Sequence, residues 1–218
     1  MKSLRDMLRS LPSIVGKAPD TDWTSVPDSP RPLFVQWLRD ALDAGVPEAH
    51  AATFSTVDQD GMPDARVLVL KDVTDDCAFK IATSDESAKG RQLMGNPKCA
   101  ISFYWGPLSR AVRIRGTAQR ASAAESAADF RARHPHARAI ALIGQQSAVL
   151  ANEAARDALV AQAAAALEAD PDLVSPHWSV WTVKPLSIEF WQGTRSRDHQ
   201  RLSYVLTDAG WIHQRLWA

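Results

Sequence analysis

No stretch of this chain is apolar for long enough to span a bilayer, and Met1-Lys2-Ser3-Leu4-Arg5-Asp6 carries charge where a secretory leader needs an apolar run. No membrane partner is expected, and a cytoplasmic location is. Net charge is absent as well: 25 Lys and Arg offset 25 Asp and Glu. No long-range field therefore draws in nucleic acid, although a local basic pocket for a phosphate stays open. Cysteine is scarce. Cys77 and Cys99 lie in apolar, strand-like runs with no CxxC spacing and no clustered histidines, so buried free thiols are expected. His134-Pro135-His136 has no acid or thiol at ligand spacing and reads as a loop after a helix, so no metal is expected. Also missing are βαβ alternation and any GxGxxG or GxxxxGK[ST] loop, which removes the two commonest nucleotide folds. Any phosphate site here must use side chains.

What is present is enough apolar material for a real core: 218 residues, 45% hydrophobic and 23% charged. The expected organisation is an N-terminal arm over 1–31 and one domain over 32–218. From Pro32 to Ala44 the residues Phe34, Trp37, Leu38 and Ala41 recur at helical spacing, and Gly45 follows as a stop. The period then changes. Ala52 to Val57 and Ala65 to Leu70, joined by Asp58-Gln59-Asp60-Gly61, read as a hairpin, with further strands at 78–82, 100–104 and 112–118. Ser84-Asp85-Glu86-Ser87 offers caps for a short helix over Lys89 to Met94, which Asn96-Pro97 ends. Helices over 122–133 and 151–169 precede strands at 178–183, 188–191, 202–206 and 211–216. Short antiparallel strands with helices set apart predict an α+β class in which the sheet closes into a barrel.

Three segments concentrate cations. Arg66 and Lys71 bracket an apolar strand, Lys89 and Arg91 begin the short helix, and Arg195, Arg197 and Arg201 follow Glu189-Phe190-Trp191-Gln192-Gly193. An arginine fork, a lysine point charge and the amides of a helix start suit one or two phosphate monoesters. Taken singly, each cation equally suits a solvated rim. Strand alternation places Arg66 and Lys71 on opposite faces.

Arg66-Val67-Leu68-Val69-Leu70-Lys71, Ser87-Ala88-Lys89, Gln146-Ser147 and Ile188-Glu189-Phe190-Trp191-Gln192-Gly193 with Arg197, His199 and Arg201 resemble the pyridoxine/pyridoxamine 5′-phosphate oxidase family, in order and from about Pro32 to the C-terminus. The resemblance implies an antiparallel FMN-binding split β-barrel with peripheral helices, a homodimer with FMN in its interface. Arg66 and Lys89 would hold the FMN phosphate, and Val67, Leu68, Val69, Leu70 and Thr83 would line the flavin. Gln146, Ser147, Trp191 and Arg201 would complete that site. Lys71 and Arg133 would hold the substrate phosphate, with Arg197 and His199 over the substrate ring. The implied reaction oxidises pyridoxamine or pyridoxine 5′-phosphate to pyridoxal 5′-phosphate and reduces O2 to H2O2.

The chain departs from this pattern at several positions. Ala88 and Ala111 stand where the family has Arg and Gln, which weakens the expected grip on FMN. Asp129 and Ala137 replace Tyr and Ser beside the substrate phosphate, the arm lacks an Arg-x-x-Tyr lid, and Trp178-Ser179-Val180 replaces Trp-Gly-Gly. An acid near a phosphate is repulsive. Two alternatives stay open: an FMN oxidase of the same fold acting on a reduced aromatic ring, and a non-catalytic flavin- or haem-binding barrel.

Overall fold

The computed structural model describes residues 3–218; Met1 and Lys2, the first of the charged N-terminal residues, lie outside it. Helix α1 spans Leu4–Ser10 and α2 Pro30–Asp43, followed by strands β1 (Ala51–Val57), β2 (Pro63–Val69), β3 (Asp72–Val73) and β4 (Phe79–Ser84). Helix α3 (Ala88–Gly95) leads to β5 (Lys98–Trp105) and β6 (Arg110–Arg120), and then to α4 (Ala123–Arg131), α5 (Pro135–Ile143) and α6 (Glu153–Ala169). Strands β7 (Trp178–Gln192), β8 (Gln200–Thr207) and β9 (Gly210–Arg215) close the chain. Hydrogen bonding orders the strands β2-β1-β5-β6-β7-β4-β3, with β8 on β7 and β9 on β8.

The chain forms two compact units. The first takes residues up to Ala52, Ile101–Ile114 and Leu186–Ala218. Its core is the apolar stripe of α2: Phe34 meets Phe103 with ring centroids 5.3 Å apart, and Trp37 meets Phe190 at 5.1 Å. Arg110 is buried in this core. Its three nitrogens donate to Gln192 (2.8 Å), Asp40 (2.6 Å), the Pro19 carbonyl (3.1 Å) and Thr21 (2.8 Å), and its guanidinium lies 4.3 Å over Trp37. These bonds fasten residues of the N-terminal segment to the core. Strands β7 and β8 pair antiparallel with Trp191 opposite Arg201.

The second unit takes Thr53–Ala100 and Arg115–Pro185. Here β4 pairs antiparallel with β7, Thr83 opposite Ser179. Phe130, Ala139, Leu167 and Trp178 form a buried cluster that draws α4, α5 and α6 together. Ser87 caps α3 by accepting from the Gly90 amide at 3.1 Å. Gly90 is required there, because a Cβ would lie 2.4 Å from the Ser84 carbonyl.

Three expectations are corrected. His134-Pro135-His136 is no loop: His134 is the N-cap of α5 and Pro135 its first residue, where proline's fixed φ and missing N–H cost nothing. The strands expected at 178–183 and 188–191 are one strand, β7, which runs through Pro185. Proline usually breaks a ladder; here the bare face of Gly116, whose Cβ would fall 2.9 Å from the Pro185 Cα, gives it room. Lastly, Lys71 lies beyond β2, which ends at Val69, so the alternation that was to set it opposite Arg66 does not reach it; both line one cavity.

Candidate active site

Residues of the second unit enclose a cavity of about 780 Å³, within the roughly 300–1,000 Å³ usual for small-molecule sites. Arg66, Lys71, Thr83, Lys89, Arg133 and Gln146 all contribute to its wall, together with Val67, Leu68 and Val69. Leu70 is not part of that wall. Nor is Ser147, whose Oγ accepts from the Ala88 amide at 3.2 Å in the first turn of α3.

One end is built on Arg66. Its guanidinium donates to Thr56 Oγ1 (2.6 Å), the Phe54 carbonyl (3.3 Å) and Gln92 Oε1 (3.1 Å), and pairs with Asp64. The Gln92 amide, then the Arg66 charge, hold the Asp64 carboxyl below its ordinary range. Lys89 is pushed below the usual lysine range, first by burial and then by the nearby Arg66 charge. Two cations thus face the same space, Lys89 from the first turn of α3. A bound anion would relieve the charge on Lys89.

The other end is built on Arg133 and Lys71. Lys71 Nζ lies 3.1 Å from Asp129 Oδ1, and Asp129 Oδ2 accepts from the Trp178 indole at 2.9 Å. The Arg133 guanidinium stacks 3.9 Å over the same Trp178 ring. One of its Nη groups reaches the Ala137 carbonyl at 3.4 Å, while its buried Nε has no hydrogen-bond partner. Burial pushes this guanidinium below its ordinary range, and Asp129 opposes the shift.

The remaining site residues belong to the first unit. The Trp191 and His199 rings have centroids 5.1 Å apart, and His199 Nδ1 accepts from the Thr194 amide at 3.2 Å. In the neutral ring the proton therefore resides on Nε2. Arg197 holds φ +69°, a left-handed conformation that costs a non-glycine residue energy, and donates to Ser13 Oγ at 3.0 Å. Arg201 grips Glu189 with two nitrogens, at 2.9 and 2.7 Å, and donates to the Trp217 carbonyl at 3.0 Å.

Sequence reasoning missed the groups that hold these cations. Asp64 lies two residues from Arg66 on one strand face, and Gln92 follows Lys89 by three on α3, so both had a periodicity signal. The Lys71–Asp129 pair and the Ser13 contact with Arg197 join distant segments and had none. Among the described residues no group of His, Cys, Asp and Glu could hold a metal, and no helix is long and apolar enough to cross a membrane.

Residues 38–172 match the family model for pyridoxamine 5′-phosphate oxidase, and residues 178–218 match the pyridoxine 5′-phosphate oxidase C-terminal dimerisation region. The chain is 40% identical over 198 residues to the pyridoxine/pyridoxamine 5′-phosphate oxidase of Herminiimonas arsenicoxydans, covering 90% of this chain and 93% of that one. It is 43% identical over 193 residues to the protein of the same name from Thermosynechococcus vestitus, covering 87% and 89%. Among solved structures, PhzG from Burkholderia lata 383 in complex with tetrahydrophenazine-1-carboxylic acid superposes with a TM-score of 0.85 at 24% identity, over 93% of this chain and 100% of that one. A pyridoxamine 5′-phosphate oxidase-related FMN binding protein from Nostoc punctiforme PCC 73102 gives 0.70 at 18% identity, over 89% and 99%. These likenesses show the expected fold, an α+β split barrel.

Proposed function

Since the chain belongs to the pyridoxamine 5′-phosphate oxidase family, we propose that it is an FMN-dependent oxidase that takes two electrons and two protons from a small ring-bearing substrate and delivers them to O2, giving H2O2. The observation that carries this reading is the Arg66–Lys89 end of the cavity, where a partly buried lysine faces another cation beside the first turn of a helix. That arrangement is unfavourable by itself and suits a phosphate. FMN, when bound, supplies the two-electron acceptor and the route to O2.

The chain's own residues supply position and charge. Arg66 and Lys89 bind the FMN phosphate, with Val67 to Val69 and Thr83 against the ring and Gln146, Ser147, Trp191 and Arg201 completing the hold. Lys71 and Arg133 orient the anionic group of the substrate. Arg197 and His199 act on the substrate ring, and engagement of His199 Nδ1 by Thr194 leaves Nε2 as the nitrogen that holds or moves a proton. A homodimer is part of the reading, with FMN in its interface. The C-terminal match to a dimerisation region supports it, as does apolar surface left uncovered at Val67 and Trp217, 70% and 93% exposed. The free thiols Cys77 and Cys99 suit a reducing, cytoplasmic compartment.

The relatives' names make pyridoxamine and pyridoxine 5′-phosphate the first substrates to test. The Lys71–Asp129 pair favours a second reading, an oxidase of the same fold acting on another ring. Anaerobic addition of pyridoxamine 5′-phosphate to the FMN-loaded protein separates them. Bleaching of the flavin band, reversed by air, supports the first reading; a band that stays yellow with this substrate and bleaches with another ring supports the second. A protein that takes up no FMN contradicts both.

A further inference from the structure

We propose that Asp129 sets the substrate class: it makes the Lys71–Arg133 end of the cavity select a ring carrying a single negative charge, a carboxylate, over one carrying a phosphate dianion. The inference rests on the oxidase reading above. Lys71 and Arg133 bring two positive charges to this end, and Asp129, 3.1 Å from the Lys71 ammonium, cancels one of them. A phosphate monoester carries about −1.5 to −2 near neutral pH, more than this remainder balances, whereas a carboxylate matches it.

Asp129 cannot turn aside without loss. Its side chain is 17% exposed, and its second oxygen is fixed by the Trp178 indole at 2.9 Å. The same indole supports Arg133 from below at 3.9 Å, so the acid and the arginine form one rigid unit around a single ring. What the unit offers a ligand is the planar Arg133 guanidinium, part of the cavity wall and tied to the protein by one long Nη contact, whose fork fits the two oxygens of a carboxylate. Ala137 brings only a backbone carbonyl, an acceptor already turned to Arg133, and no donor for a third oxygen. Arg156, the remaining cation of the wall, pairs with its neighbour Asp157 at 3.1 Å.

The test is calorimetric titration of the FMN-loaded protein and its Asp129→Asn variant with two probes, pyridoxal 5′-phosphate and pyridine-3-carboxylate. Asparagine keeps an acceptor for the Trp178 indole and removes only the charge; Asp129→Ser is the second variant should the first fold poorly. Removing one close like charge is expected to tighten pyridoxal 5′-phosphate roughly tenfold. Affinity for the carboxylate, with about half the charge, should rise by no more than about threefold. Folded variants that bind pyridoxal 5′-phosphate no better than the parent, or that gain equally for both probes, overturn the proposal. Heat of binding does not depend on turnover, so a protein that shows the expected shift but oxidises nothing contradicts the oxidase reading and leaves the role of Asp129 standing.

Discussion

Each unit stacks an arginine on a tryptophan, and the two arginines are used differently. Arg110 in the first unit lies over Trp37 with all three nitrogens engaged by protein acceptors. Arg133 in the second unit lies over Trp178 with its Nε unpartnered and one weak bond to a carbonyl. Burial lowers the pKa of both guanidinium groups, and only Arg110 has a hydrogen-bonded carboxylate to oppose it. The residue type is the same, but Arg110 is fully buried and Arg133 only half-buried, and the two differ as well in how many donors the protein itself has satisfied. In this pair the saturated cation holds structure, and the other keeps donor capacity for a ligand.

Substitutions can break that contrast. Arg110→Met should cost roughly 3–5 kcal/mol of stability, because it strands Asp40 beside an apolar core and frees the N-terminal segment; urea unfolding measures it, and a loss below 1 kcal/mol would erase the distinction. Arg66→Ala should leave the fold in place and weaken FMN binding by roughly 2–5 kcal/mol, since Asp64 would then face the phosphate unpaired. Arg133→Met should cost only about 0.5–1 kcal/mol of stability, the value of an exposed-type cation–π contact, while binding of the substrate anion is lost. A large stability loss in that variant would mean that Arg133 is structural after all.

The two ends of the cavity sharpen the comparison further. Asp64 and Asp129 each sit on a cation, but Asp64 is 46% exposed and Asp129 17%. Asp64→Asn should therefore tighten FMN by no more than about 1 kcal/mol, the range of a solvent-screened pair. Lys89 adds a pH dependence. Its pKa in the free protein is lowered, and a bound phosphate raises it again, so FMN affinity is complete below the lowered value and declines as pH rises through it. Titrations of FMN across the alkaline range should show that decline, and Lys89→Met should flatten it.

Much of this was legible in the sequence. Local signals placed α2, the β1–β2 hairpin and the Ser87 cap of α3, because helix period, strand alternation and capping chemistry act over a few residues. The cations Arg66, Lys71, Lys89 and Arg133 were picked out, and the family resemblance paired Arg66 with Lys89 and Lys71 with Arg133; the groups that hold each were not. That Lys71 lies outside the strand carrying Arg66 depends on β2 ending at Val69, and Pro185 reads as a break unless Gly116 is known to face it. Asp129 was singled out as repulsive to a phosphate; that it is spent on Lys71 and pinned by Trp178 depends on tertiary contacts that no local pattern encodes.

The claim on which the rest depends is that this cavity holds FMN through Arg66 and Lys89. Quenching of FMN fluorescence on titration with the protein and with Lys89→Met tests it directly. Saturable uptake of one FMN per chain, weakened by about 1.5–3 kcal/mol in the variant, is the expected result for loss of one charged contact. Uptake that never saturates, or that Lys89→Met leaves unchanged, would contradict it.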